Sequence, residues 1–261
     1  MKERPLALVT GASGGLGFEF ARLLAERGHD LILVARTGAP MEELAQWAEA
    51  RHDVAVTVLP KDLSHPGAGG EVAEELAERN LHPDVLINNA GFTQLGPFAG
   101  SDEHEMLGLL RVNIETLTQL TRRVAPGMVG RGHGRIVNLA SNAAFQPGPY
   151  MACYYASKAY VLNFSIALNE ELKGSGVTVT ALAPGPVATG FQARAAMQDA
   201  RLVKGRKLPS AGEVAEWGWS QVERGKPFAV HSPRWKFIAF TMRFLPIPTA
   251  ARLAARANDR V

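Results

Sequence analysis

The stretch Leu6-Ala7-Leu8-Val9-Thr10-Gly11-Ala12-Ser13-Gly14-Gly15-Leu16-Gly17-Phe18-Glu19-Phe20-Ala21 decides the fold. Its first four residues form an unbroken apolar run, as in a strand buried on both faces. Glycines at 11, 14, 15 and 17 make a tight turn, and helical spacing opens at once with Phe18, Ala21, Leu24 and Ala25, ending near Gly28. Glycine lets backbone approach a ligand closely, while the free amides and positive end of a helix favour an anion such as a pyrophosphate. The spacing G-x-x-x-G-x-G differs from the G-x-G-x-x-G dinucleotide fingerprint, and a tight strand-to-helix connection alone asks for similar residues.

Outward from this unit the same alternation repeats. Apolar runs stand at residues 31–34, 54–58, 85–87, 135–139 and 177–182, each read as a strand buried on both faces, with helical spacing between them. Strands joined by crossover helices predict an α/β fold, a doubly wound Rossmann-like parallel sheet with helices on both faces and ligand sites beyond the strand C-terminal ends. The length of 261 residues suits one domain over 1–261, with about 190–261 as substrate lid and variable C-terminal extension. At 46% hydrophobic and 20% charged the chain is not a disordered one, and 26 Gly with 16 Pro exclude collagen-like composition.

The lone cysteine, Cys153, cannot close an intramolecular disulfide and is read as a small buried residue. The 7 histidines show no ligand spacing, so no metal is expected. The first apolar run is too short for a signal-peptide core or a membrane span, and the expected location is cytoplasmic.

Two further positions carry chemistry. The second strand ends at Val34-Ala35-Arg36-Thr37. An acid there would bind the free ribose hydroxyls of NAD, whereas Arg36 with Thr37 suits a 2′-phosphate, hence NADP, although an arginine at a strand end can simply be solvated. In Tyr154-Tyr155-Ala156-Ser157-Lys158, Tyr154 and Lys158 share one helix face, and a neighbouring ammonium is expected to lower the phenol pKa toward proton exchange. Tyr155 lies about 100° around the helix and is the lesser candidate.

Together these residues resemble the short-chain dehydrogenase/reductase family in its compact single-domain form, over about residues 5–190. Gly11, Ser13, Gly15, Leu16 and Gly17 match its cofactor turn, Asp62-Leu63 its adenine-contacting pair, and Asn89-Ala90-Gly91, preceded by Asn88, its motif after the fourth strand. Asn113, Ser141, Tyr154 and Lys158 match its catalytic set in order, and Pro184, Gly185, Val187 and Thr189 its nicotinamide-end segment. The resemblance implies that Tyr154 exchanges the proton of a carbonyl or alcohol oxygen and Ser141 hydrogen-bonds that oxygen. It also implies that Lys158 holds the nicotinamide ribose and lowers the phenol pKa, and that Asn113 organises a water path. The turn has no basic residue of its own, which leaves Arg36 as the carrier of the NADP(H) inference.

The expected activity is hydride transfer between NADP(H) and a hydrophobic aldehyde, ketone, oxo-steroid or oxoacyl compound, with a non-catalytic NADP(H)-binding sensor or scaffold as the alternative. The resemblance implies a homodimer or homotetramer. Phe191 and Met197 are expected to line an apolar lid. Residues 201–261 hold twelve Lys/Arg against four acids, a net +8 that leaves −5 for the rest. The basic, aromatic stretch 235–248 suits packing on the body or a second subunit, a pocket wall, or weak contact with a membrane surface. No nucleic-acid motif accompanies the charge.

Overall fold

The computed structural model describes residues 4–191, 205 and 207–259. Seven parallel strands form one sheet in the order β3-β2-β1-β4-β5-β6-β7: β1 Leu6–Thr10, β2 Asp30–Ala35, β3 Val56–Pro60, β4 Val85–Asn88, β5 Gly134–Leu139, β6 Val177–Ala183 and β7 Phe228–Val230. The chain order reverses between β1 and β4, opening a crevice at their C-terminal ends.

Helices α1 Gly15–Glu26, α2 Ala39–His52 and α7 Ala211–Glu223 cover one face, with Phe20, Leu24, Met41, Leu44 and Trp219 in a core against Val9, Leu31, Leu33 and Ile87. The other face carries α3 Ala68–Glu78, α5 Leu117–Arg131 and α6 Ala152–Glu171, where Val72, Leu120, Met128 and Leu162 are buried. A short helix α4 Glu103–Leu110 leads into α5, and α8 Pro233–Met242 and α9 Ile247–Asn258 close the described chain.

Two sequence expectations need correction. The third strand begins at Val56, not Val54, and it is an edge strand with Val56, Thr57 and Val58 only partly covered, because no strand lies beyond it. β7 was not foreseen: three residues after Lys226-Pro227 carry too little periodicity to stand out, yet they pair with Ala181, Leu182 and Ala183.

Local chemistry fixes the crevice. The buried Thr10 hydroxyl donates to the Ile87 carbonyl at 3.3 Å and accepts the amides of Asn89 and Ala90 at 3.1 and 3.0 Å, riveting the ends of β1 and β4. Asn138 of β5 accepts from Asn88 at 2.8 Å and donates to Ser165 of α6 at 2.9 Å, which sets the register of β4, β5 and α6 around one buried polar cluster.

Candidate active site

The sequence fixes the first wall of the site through backbone. Gly11 has φ +69, and its carbonyl lies so close to Gly17 that a Cβ there would strike it and the Asn89 amide. That contact brings α1 against the turn. Gly14 starts the helix with no side-chain cap, leaving the first amides of α1 unpaired by side chains, and nothing lies within 4 Å of where its Cβ would be. The turn is an open, amide-lined cradle of the shape and polarity that a dinucleotide pyrophosphate requires.

A cleft of about 280 Å³ runs along the strand ends. Of the residues expected there, Gly11, Ser13, Gly15 and Leu16 line it from the turn, Arg36 and Thr37 from the end of β2, and Leu63 from beyond β3. Asn89, Ala90 and Gly91 follow β4, Ser141 follows β5, Tyr154 and Lys158 come from α6, and Pro184, Gly185, Val187 and Thr189 follow β6. Three expected residues are not on the wall. Gly17 packs behind the turn, and Asp62 is exposed, its carboxylate accepting the Ser64 amide and hydroxyl at 2.9 and 2.7 Å. Burial pulls that carboxyl pKa up, but the Ser64 bonds and the Arg36 charge outweigh it, so the pKa is lowered.

Asn113 lies behind Gly91 and is almost fully buried. It sits in a π-helical turn, Arg111–Thr116, whose widened pitch lets its amide donate to the Phe92 carbonyl and the Ser157 hydroxyl, each at 3.1 Å. The Ser157 hydroxyl in turn donates to the Tyr154 carbonyl at 2.7 Å. Asn113 therefore braces the turn of α6 that carries Tyr154.

Tyr154 and Lys158 are brought together as expected, with the ammonium 5.8 Å from the phenol ring centre. Lys158 donates to the Leu139 carbonyl at 2.7 Å. The expected lowering of the phenol pKa is not what this geometry gives. Burial pushes Tyr154 up to about 12, with the Ser141 hydroxyl drawing it back only in part, and burial pushes Lys158 down to about 8. Desolvation is the largest cause at both groups, since each is buried in the cleft wall away from water. Ser141 donates to the Asn142 side chain at 3.0 Å and accepts the Ala143 amide at 3.1 Å, which holds its hydroxyl at the mouth of β5.

Several wall residues escaped the sequence reading. Lys61 joins Arg36 and Thr37 at the outer end of the cleft, where its ammonium meets Glu75 at 3.3 Å; its place at the end of β3, next to β2, was the available signal. Phe92, Val112 and Met151 add apolar surface. Tyr155, set aside above, also lines the cleft, and its hydroxyl donates to Asn258 of α9 at 3.0 Å. Cys153, expected to be buried, is half-buried and borders a side cavity beside Tyr154 with Leu95, Phe98 and Met106. Phe191 stands 5.9 Å from the Tyr154 ring, whereas Met197 lies outside the described residues.

The family model for short chain dehydrogenases matches residues 5–200. The chain belongs to this family. Solved relatives share its fold over most of the chain. A short-chain dehydrogenase from Sphingobium yanoikuyae, solved in complex with NADPH, is 33% identical with a TM-score of 0.81, covering 92% of this chain and 94% of that one. The bulky-bulky ketone specific alcohol dehydrogenase from Comamonas testosteroni is 30% identical with a TM-score of 0.78, covering 92% of each. Among curated proteins, a very-long-chain 3-oxoacyl-CoA reductase from Pyrenophora tritici-repentis is 36% identical over 66% of this chain and 52% of its own. A very-long-chain 3-oxoacyl-CoA reductase-like protein from Arabidopsis thaliana is 34% identical over 88% of this chain and 74% of its own. The chain spans about half the length of the first of these reductases.

Proposed function

We propose that the chain is an NADP(H)-dependent reductase of a hydrophobic carbonyl compound, an aldehyde, ketone, oxo-steroid or oxoacyl thioester. The observation that carries the reading is one continuous cleft with Arg36, Thr37 and Lys61 at one end and Ser141, Tyr154 and Lys158 at the other. Arg36 and Lys61 suit a 2′-phosphate, Lys61 sharing its charge with Glu75 at 3.3 Å and Arg36 acting on the neighbouring Asp62 carboxylate through its charge. When bound, the nicotinamide supplies the hydride. The glycine turn and the α1 amides would hold the pyrophosphate, and Lys158 the adjoining ribose.

Tyr154, whose pKa near 12 keeps it protonated at neutral pH, then donates its proton to the carbonyl oxygen. Ser141, turning its hydroxyl proton from the Asn142 side chain, donates a hydrogen bond to the same oxygen and stabilises its developing charge. Lys158, with a pKa near 8, is mostly an ammonium at pH 7 and favours the phenolate left behind. Phe191 and Met151 support a nonpolar substrate, as do Leu95, Phe98 and Met106 in a side cavity that also holds Gln94, Asp102 and Glu105, in line with the names of the relatives above, and the position of Phe191 supports reading the segment after Thr189 as a cover.

The reading includes a cytoplasmic location and a homodimer or homotetramer; the half-exposed Tyr160, stacked on Phe164 at 5.6 Å, and Ile166 on α6 support self-association, which solution mass measures. The deciding experiment follows NADPH oxidation by purified protein across aldehydes and ketones from short and polar to long-chain and polycyclic. Turnover of the bulky members that falls roughly 10²- to 10⁴-fold in Tyr154→Phe, with NADPH binding retained, is expected. Equal activity of Tyr154→Phe refutes the proton-transfer role. NADPH binding without turnover anywhere favours the sensor.

A further inference from the structure

Beyond the cleft, α8 and α9 present a surface that the reductase chemistry does not use. Each helix is anchored by one side only. Trp235 and Ala239 of α8 pack against Ala183 and Val230, and Ala250 and Ala254 of α9 are buried on the body. The side of α8 away from the body bears Phe237 and Phe240, and Phe244 and Ile247 follow in the link and at the start of α9; the four are exposed to 68%, 59%, 73% and 71%. Phe240 and Phe244 meet edge to face at 5.1 Å, and Phe237 and Ile247 each lie three residues from one of them in the chain.

The same two helices and their link carry Arg234, Lys236, Arg243, Arg252 and Arg256, all exposed, and residues 233–258 contain no acid, the next being the exposed Asp259. A group covering this face must therefore bring apolar surface and negative charge together. An isologous contact with a second copy would set this predominantly basic patch against itself, which is repulsive. An anionic bilayer offers both properties at one surface: headgroups for the cations and acyl chains for the aromatic rings.

We propose that α8 and α9 form an interfacial docking face for an anionic lipid surface, with Phe237, Phe240, Phe244 and Ile247 inserted among the acyl chains and the five cations at the headgroups. No membrane crossing is involved: among the described residues no helix is long and apolar enough to span. The face adjoins the cleft physically. The Trp235 indole rests on Gly185, a wall residue, and Asn258 at the end of α9 accepts the hydrogen bond of Tyr155, another. A docked molecule would thus open its cleft beside the medium that holds nonpolar substrates.

The test is co-sedimentation of the full chain with phosphatidylcholine vesicles containing phosphatidylserine, with phosphatidylcholine vesicles alone as reference. It reads binding and is independent of turnover, so its failure leaves the reductase reading untouched. The wild type is expected in the pellet with the anionic vesicles and mostly in the supernatant with the neutral ones. Phe240→Ser/Phe244→Ser should lower the bound fraction at least roughly tenfold, and Arg234→Gln/Arg243→Gln should abolish the preference for phosphatidylserine. Both positions are exposed, and unchanged melting of each variant confirms that folding is intact; Phe237→Ser serves as the milder probe if the double variant melts early. Wild type that stays in the supernatant, or a Phe240→Ser/Phe244→Ser variant that pellets equally, overturns the proposal. So does an oligomer in vesicle-free solution that the same variant converts to monomers, since a second copy then occupies the face.

Discussion

The glycine turn between β1 and α1 lines the cleft, the C-terminal pair of helices backs residues that line it, and the two are held in place by different means. At the turn, backbone meets backbone: the Gly11 carbonyl lies against Gly17, and the Thr10 hydroxyl ties β1 to β4. At the C-terminal helices, attachment comes through side chains, with Trp235 on Gly185, small alanines at 250 and 254, and Asn258 bonded to Tyr155 and to the Pro149 carbonyl, both at 3.0 Å. A wall made of backbone tolerates almost no change of residue. A support attached by side chains can be retuned one position at a time, which suits a layer behind the cleft wall.

The sharpest way to break this contrast is Gly17→Ala. A single methyl group there meets the Gly11 carbonyl and the Asn89 amide, so urea unfolding should show a loss of about 2–4 kcal/mol together with lost NADPH binding. A stable, NADPH-binding variant would mean that the turn yields after all.

Lys158→Met comes next. The folded state holds this ammonium at a pKa near 8, below its ordinary 10.5, so the unfolded chain binds more protons between those values and burial costs stability below about pH 8. Removing the charge should raise stability at pH 7 by on the order of 2 kcal/mol, after the lost bond to Leu139 is set against it, while abolishing turnover. The wild type should recover ground as pH rises from 8 to 10.5. A difference in melting that is the same at pH 7 and pH 10 would contradict the assigned cause.

Arg36→Ala should weaken NADPH binding by about tenfold or more and leave NADH nearly unchanged, read by fluorescence titration. Equal losses for both cofactors would move the phosphate contact elsewhere, with Lys61 first in line. The smallest effect is expected at the side-chain support. Asn258→Ala strips a partner from the Tyr155 hydroxyl and costs about 1–2 kcal/mol, and KM for bulky ketones should shift more than for small ones. If KM moves equally for all sizes, α9 supports the fold and not the substrate end of the cleft.

How far each region could be read from sequence follows the same division. Strands β1, β2, β4, β5 and β6 announce themselves because a strand covered on both faces must be apolar throughout, and the glycine turn because few other residues fit. Lys61 was missed although it adjoins Asp62-Leu63, because its place beside Arg36 follows only from the strand order, and Tyr155 was set aside because helix spacing alone does not show that it too reaches the cleft. Asn258 offered a faint signal: with Ala250 and Ala254 it makes a small-residue face at four-residue spacing, the mark of a helix lying flush on a surface, yet nothing local says that its amide reaches Tyr155. The acid-base pair was legible as a pair, but the direction of its pKa shifts depended on burial, a property of the whole fold.

The indole of Trp235, resting on Gly185 in the cleft wall, gives the molecule an optical handle. Indole emits at wavelengths that a reduced nicotinamide absorbs, so a bound reduced cofactor quenches a nearby tryptophan while an oxidised one does so far less. With Trp47, Trp217 and Trp219 all on or beside the α1, α2 and α7 layer, Trp235 is the fluorophore on the substrate side, and its light distinguishes loaded from spent cofactor without any added dye.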